Sequence, residues 1–119
     1  MKENNWLEEN ESIIGSWAVS TDGIKSYGKI FVTDKYFRYN QQGSLEQVEQ
    51  GFRKHLIHVD NQKYLAVPYN EIEKVEIKKH LLIFKNLCLT LNSGESLAFR
   101  FGVMSPQKTV DAINVHLKS

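Results

Sequence analysis

The chain has 119 residues with 41% hydrophobic and 11% aromatic side chains, values that predict one globular domain and argue against intrinsic disorder. The formal net charge of +1 gives no overall field for a polyanion, so nucleic acid is an unfavoured partner. Cys88 is the single cysteine and no apolar run marks a secretory signal or a membrane span, which indicates a cytoplasmic protein.

The N-terminal part predicts a short helix followed by a strand. Asn5 can cap a helix over residues 6–9, because an Asn side chain accepts hydrogen bonds from free backbone N–H groups. Residues 13–19 alternate in character with the period of two expected of a strand. Asp22-Gly23 then predicts a turn, since Gly adopts positive φ without steric cost.

Residues 27–39 predict two strands folded over a tight turn, and this pair organises the rest of the chain. The alternation predicts that Ile30 and Val32 lie on one face of the strand, and that Phe31 and Thr33 lie on the other. Asp34-Lys35 forms the turn, where the Asp34 carboxylate is expected to accept a hydrogen bond from a backbone N–H two residues on. Residues 36–39 form the return strand.

Residues 44–59 allow two interpretations. A stripe of apolar residues at three- and four-residue steps favours a helix from Ser44 to about His55, followed by extended chain. Gly51 is unfavourable inside a helix, and residues 53–59 also fit a strand. We favour the helix.

The C-terminal half predicts further strands and one helix. Residues 63–67 form a strand stopped by Pro68, and the apolar spacing after Asn70 changes from three to two residues, which indicates a β-bulge. Residues 87–91 and 97–101 alternate around Asn92-Ser93-Gly94 as a hairpin. Ser105 as N-cap, followed by Pro106, predicts the start of a closing amphipathic helix.

This order of elements resembles the GRAM branch of the pleckstrin-homology-like superfamily. The resemblance rests on residues 28–37, on 67–75 and on the hairpin with its terminal helix, and residues 11–14 also fit. It implies a mainly β fold, a barrel or sandwich of about seven antiparallel strands, capped by a C-terminal α-helix. One domain would span residues 1–119, with residues 41–62 as a partly helical insertion.

The resemblance also implies a basic rim at the open end of the barrel that binds anionic lipids or proteins. Its candidate residues here are Lys25, Lys29, Lys35 and Arg38. Cations that converge on one concavity hold phosphates by charge-assisted hydrogen bonds. The Lys/Arg-x-Arg pattern of phosphoinositide-binding members is absent, since Lys29-Ile30-Phe31 stands in its place, and a solvated charged face is the alternative.

Two other cationic segments stand out. The first contains four candidate partner-binding residues, Arg53, Lys54, His55 and His58. A helix here would present a polar face to a partner or membrane, or pack its apolar stripe on its own barrel. His55 and His58 would share a helical face, but no third metal ligand is evident. The second segment is Lys78-Lys79-His80.

No nucleophile elbow, phosphate-binding glycine loop or metal-ligand cluster appears, so we expect neither catalysis nor a cofactor. The leading hypothesis is a non-enzymatic binding module of the cytoplasm, either free or peripheral to the membrane, that recruits a protein segment or an anionic membrane surface. The alternative is a carrier of a small apolar ligand with a lipocalin-like barrel. Four large residues predicted to point inward argue for a filled interior instead: Phe31, Phe37, Phe99 and Phe101.

Overall fold

Antiparallel strands dominate the computed structural model, which describes residues 7–21, 27–41, 50–59, 62–80, 83–102 and 104–117. In chain order the elements are β1 (Ile13–Thr21), β2 (Tyr27–Thr33), β3 (Tyr36–Gln41), α1 (Gln50–Arg53), β4 (Leu56–Val59), β5 (Gln62–Pro68), a 3₁₀ helix (Tyr69–Glu71), β6 (Ile72–His80), β7 (Phe84–Leu91), β8 (Ser96–Gly102) and α2 (Gln107–Leu117).

Strand β1 joins two halves of the β structure. The strand order is β4-β5-β3-β2-β1-β8-β7-β6, and the described strand pairs are antiparallel. β1 pairs with β2 along most of its length but with β8 only at Ser20 and Thr21. A strand that changes partner at its end lets the sheet fold over into two layers. The expected mainly β, sandwich-like fold with a C-terminal helix is confirmed; the described strands number eight and do not close into a barrel.

Large apolar side chains fill the space between the layers. The Phe99 ring lies 5.5 Å from the Phe37 ring and 4.9 Å from the Tyr39 ring, and all three residues are fully buried. Phe101 is buried, and Phe52 of α1 is also inaccessible to solvent. The interior is therefore packed with aromatic rings, as expected for Phe37, Phe99 and Phe101.

The inward prediction for Phe31 is wrong. Ile30 and Val32 are fully buried on the inner face of β2, whereas Phe31 is half-buried on the other face. Directly opposite Phe31 are Ser16 of β1 and Arg38 of β3. Because opposed residues share a face of the sheet, Arg38 also belongs to the outer face.

The C-terminal helix forms as predicted. The Ser105 hydroxyl accepts a hydrogen bond from the Gln107 N–H at 3.2 Å, and Pro106 directly precedes the first residue of α2, where its missing N–H costs nothing. Val110 and Ile113 are buried against the core, and Leu117 packs beside them. None of the helices in the described ranges is long and apolar enough to cross a membrane.

The predicted insertion is partly resolved into elements. Residues 42–49, which include the beginning of the helix predicted from Ser44, lie outside the described ranges. The described helix ends at Arg53 instead of His55 because the chain turns into β4, which confirms the extended segment. Phe52 anchors α1 in the core.

Of three other local predictions, two are confirmed and one is wrong. The bulge at the start of β6 is confirmed by a register shift between Ile72 and Lys74, and so is the β7–β8 hairpin, where Gly94 has a φ of 98°. The predicted helix over residues 6–9 is not seen in its described part, because residues 9–10 form a turn in which Asn10 has a φ of 67°.

The β2–β3 turn lies at Asp34-Lys35 as predicted, but a different side chain stabilises it. The Thr33 hydroxyl accepts hydrogen bonds from the N–H groups of Lys35 at 3.1 Å and Tyr36 at 3.0 Å. The Asp34 carboxylate instead accepts a hydrogen bond from the Ser12 N–H at 2.9 Å. The turn is thereby attached to the segment that precedes β1.

Candidate functional site

The structure separates the described residues of the predicted basic rim. Lys25 lies outside the described ranges. Lys29 is exposed on β2, four residues before Thr33 and hence about 13 Å along the strand from it. Lys35 is exposed at the turn, where its Nζ lies 3.3 Å from the Glu9 carbonyl oxygen. Arg38, the fourth candidate, is only 1% exposed and does not lie on an open rim.

Arg38 is held by Glu11 from the segment before β1. Its Nε and Nη2 donate to the two carboxylate oxygens of Glu11 at 2.8 and 2.7 Å, the parallel geometry typical of a strong Arg–carboxylate pair. Thr33 Oγ1 donates to Glu11 Oε2, and the Glu8 N–H donates to Oε1 at 2.8 Å. Burial disfavours the charged carboxylate, but these hydrogen bonds outweigh burial and lower the pKa of Glu11.

Tyr36 and Glu8 also contact this ion pair or its neighbours. The Tyr36 hydroxyl donates to Glu8 Oε2 at 2.7 Å, a bond that, with burial, raises the pKa of Tyr36. The Arg38 guanidinium lies 4.8 Å above the centre of the Tyr36 ring, within the range of a cation–π interaction. We call the assembly of Glu8, Glu11, Thr33, Tyr36 and Arg38 the acidic clasp. Its groups bind one another and attach the segment before β1 to the β2–β3 hairpin.

Tyr69 links the same turn to helix α2. Its hydroxyl lies 2.7 Å from the Thr33 carbonyl oxygen and 2.8 Å from that of Tyr36, and its ring stacks on His116 at 4.5 Å. Burial raises the pKa of Tyr69, so the hydroxyl stays protonated and able to donate. The β2–β3 turn is therefore fixed from both sides.

The predicted partner-binding residues lie around the start of β4. Lys54 Nζ and His55 Nε2 are 3.7 and 4.0 Å from Glu71 Oε1. Burial lowers the pKa of His55, while Glu71 opposes this effect. Arg53 is exposed, and the side chain of His58 is not among those described.

The shared helical face predicted for His55 and His58 is wrong, because His55 follows α1 and His58 belongs to β4. Within the described ranges, no three His, Cys, Asp or Glu residues are arranged to bind a metal ion. This segment is tied to the 3₁₀ helix through Glu71 and does not present a helical surface.

The cationic segment Lys78-Lys79-His80 lies at one end of the β6–β7 hairpin and makes this end basic. No Asp or Glu occurs between Glu76 and Glu95 in the sequence. Lys79 of β6 lies directly opposite Lys85 of β7, a like-charge pair that destabilises a sheet. Among the described residues, no carboxylate lies within ion-pair distance of either amino group.

The other face of the hairpin carries a second cationic row. Lys78 is directly opposite Asn86, which in turn is opposite Arg100 of β8. Lys78 is 64% exposed and lies 4.0 Å from Glu76. Positive charge thus faces both sides of the hairpin end.

Exposed apolar side chains accompany these cations. Ile83 in the turn is 59% exposed, Phe84 is 36% exposed, and Met104 is 65% exposed. Met104 lies two residues beyond Gly102, the partner of Lys85, so the chain after β8 returns to this end of the hairpin. We call Lys78, Lys79, Ile83, Phe84, Lys85 and Met104 the basic apolar tip.

Sequence reasoning singled out Lys78 and Lys79 but missed the rest of the tip. Lys85 lies beside Lys79 because β6 pairs with β7, and Met104 lies at the same end of the hairpin because β7 pairs with β8. The signal that was available is the run without acidic residues that follows Glu76, interrupted by an apolar stretch at residues 81–84. The sequence carried no such signal for the acidic clasp, because Glu11 and Arg38, its central ion pair, are 27 positions apart.

Comparisons with known proteins inform the fold alone. No protein-family model matches the chain, and no curated protein is significantly similar to it. The structure is similar to the C-terminal domain of an unknown protein from Leishmania infantum, with a TM-score of 0.64 and 11% sequence identity. The match covers 92% of this chain and 86% of that domain's chain.

Proposed function

We propose that this protein is a non-enzymatic binding module, of the pleckstrin-homology-like type that its order of elements resembles, and that it docks on an anionic membrane surface through the basic apolar tip. The observation that carries the proposal is the placement of exposed Ile83, Phe84 and Met104 at the same end as Lys79 and Lys85, which have no carboxylate partner among the described residues. Peripheral proteins bind membranes by combining these two elements.

The energetics favour a combined contact. Each Lys or Arg near an anionic membrane surface contributes about 1 kcal/mol, and this attraction falls off within a Debye length. Insertion of apolar side chains adds about 25 cal/mol for each Å² removed from water. Lys79 and Lys85 would also exchange mutual repulsion for attraction to lipid headgroups. The cytoplasm is the proposed location, since cytoplasmic leaflets carry the anionic lipids.

The packed interior supports a surface-binding module over the carrier alternative. Phe37, Phe52 and Phe99 fill the layer between the sheets, the region where an apolar ligand would otherwise be held. The strongly hydrogen-bonded carboxylate, Glu11, is committed to Arg38, which supports a non-enzymatic function.

Vesicle sedimentation tests the proposal. We expect the full chain to sediment with vesicles that contain phosphatidylcholine and phosphatidylserine, and to remain in the supernatant with phosphatidylcholine alone. Replacing both Lys79 and Lys85 with Gln should weaken binding about thirtyfold, which corresponds to two lysine contacts. The matched control is Lys29→Gln with Lys35→Gln, which removes the same charge from the β2–β3 hairpin. Equal losses in both double variants would contradict a role of the tip.

A further inference from the structure

Residues 8–12, here called the strap, lie against the β2–β3 hairpin in the manner of a bound peptide. Two of its carboxylates, three residues apart, meet separate donors: Glu11 meets Arg38 and Thr33, and Glu8 meets the Tyr36 hydroxyl. The Glu9 carbonyl oxygen lies 3.3 Å from Lys35 Nζ. The donors come from β2, β3 and the turn between them, so they form a surface that reads an acidic Glu-x-x-Glu segment.

The donor geometry is specific for a carboxylate. The Arg38 fork presents two parallel N–H groups that match the two oxygens of one carboxylate. The Thr33 hydroxyl is held in place because its oxygen accepts hydrogen bonds from the backbone N–H groups of Lys35 and Tyr36. Arg38 and Thr33 are both buried, so these donors face the strap inside a partly desolvated recess where hydrogen bonds are stronger than in water.

The strap is held by polar contacts more than by packing. Glu8, Glu9, Asn10 and Ser12 are exposed, and Glu11 is the strap's buried residue. Asn10 also has a φ of 67°, in the left-handed region that costs energy for a residue other than Gly. A segment with little buried apolar surface opens locally at lower cost than the core does.

We propose that the β2–β3 hairpin with Arg38 is a receptor for an acidic Glu-x-x-Glu segment of a partner protein, and that the strap occupies it in cis as a built-in competitor. Charge complementarity commits the site to an acidic peptide that turns as the strap does, with the Glu11 N–H donating to the Glu8 carbonyl oxygen, because the bound strap itself displays the required chemistry. The tethered strap competes at an effective concentration near the millimolar range, so the partner segment binds weakly until the strap is released. This site is independent of the membrane contact at the tip.

A fluorescent peptide with the sequence of residues 7–14 tests the proposal, with binding to the full chain measured by fluorescence anisotropy. We expect Glu11→Ala to bind this peptide at least about tenfold more tightly than the wild-type chain, because the cis competitor has lost its charged hydrogen bonds. The peptide should also raise the Tm of Glu11→Ala more than that of the wild type. A control peptide with both key glutamates replaced by Gln should bind neither chain.

The second variant keeps the test decisive if Glu11→Ala folds poorly. Glu8→Ala removes only the exposed bond to Tyr36, and it should bind the wild-type peptide more tightly than the unmodified chain does. A folded Glu11→Ala or Glu8→Ala chain that shows no gain in peptide binding would overturn the proposal. Vesicle binding of the same variants should be unchanged, which separates this outcome from that of the membrane experiment.

Discussion

Arg38 of β3 and Glu11 form a bidentate ion pair whose side chains are 2% and 0% exposed. Removing one partner leaves the other charge buried and uncompensated, which typically costs about 3–5 kcal/mol. We therefore expect Arg38→Met or Glu11→Leu to lower the free energy of unfolding by about that amount, measured by urea denaturation. The double variant should recover much of the loss, because apolar residues of similar size tolerate the buried site. Strictly additive losses would show that the two residues act separately.

The same pair should make stability depend on pH in the acid range. The pKa of Glu11 in the folded protein lies below its ordinary value of 4.5. The ionised carboxylate therefore stabilises the fold fully above the unfolded pKa, and this contribution is lost as the pH falls through the lower folded pKa. We expect the difference in unfolding free energy between the wild type and Glu11→Gln to shrink from pH 6 toward pH 3. Parallel pH profiles of the two proteins would contradict this assignment.

Periodicity predicted the strands and the closing helix because both depend on local patterns. The stripe that contains Val110 and Ile113 and the alternation around Gly94 are complete within a few residues of sequence. The fate of Arg38 depends on Glu11, which no local pattern associates with it. From the sequence, Arg38 was therefore a candidate for binding an anionic ligand, whereas in the structure its guanidinium is paired with the Glu11 carboxylate.

The length of the helix before β4 shows a second limit of sequence reasoning. The three- and four-residue apolar spacing counted Phe52 and Leu56 as one stripe, but these residues reach the core from different elements, α1 and the first position of β4. Phe52 is buried in the core and Leu56 packs against it, so the apolar spacing is satisfied without a continuous helix. Tertiary packing thus set the end of the helix where propensity did not.

Tyr69 should contribute to stability through its hydroxyl as well as its ring. Tyr69→Phe removes the hydrogen bond to the Thr33 and Tyr36 carbonyl oxygens but keeps the stack on His116. We expect a loss of about 1 kcal/mol in the free energy of unfolding, the usual net value of one hydrogen bond, measured by urea denaturation. Tyr36→Phe is the matched control, because its hydroxyl bonds the exposed Glu8 carboxylate and should cost less. An equal or larger loss in the control would argue against the proposed link between the turn and α2.

Phe52 should be a main anchor of α1 and of the segment that leads into β4. The ring is fully buried, although its helix has only four residues and little stability of its own. Phe52→Ala should therefore lower the free energy of unfolding by about 3–5 kcal/mol, the range found for buried Phe truncations. Arg53→Ala, at an exposed position of the same helix, is the control and should change stability far less. Denaturation of both variants, followed by circular dichroism, would measure the loss in the free energy of unfolding.

The like-charge pair at the tip predicts a conflict between stability and binding. Lys79→Glu places a carboxylate directly opposite Lys85, so it should raise the free energy of unfolding by about 0.2–1 kcal/mol, the range of cross-strand pairs. The same change should weaken binding to phosphatidylserine vesicles, since a repulsive charge replaces an attractive one. Lys29→Glu, opposite Ala18 and Asn40, gives the same charge change without such a pair and should alter neither property much. If Lys79→Glu gained stability and still bound the vesicles, the repulsion between the two lysines would be unrelated to membrane docking.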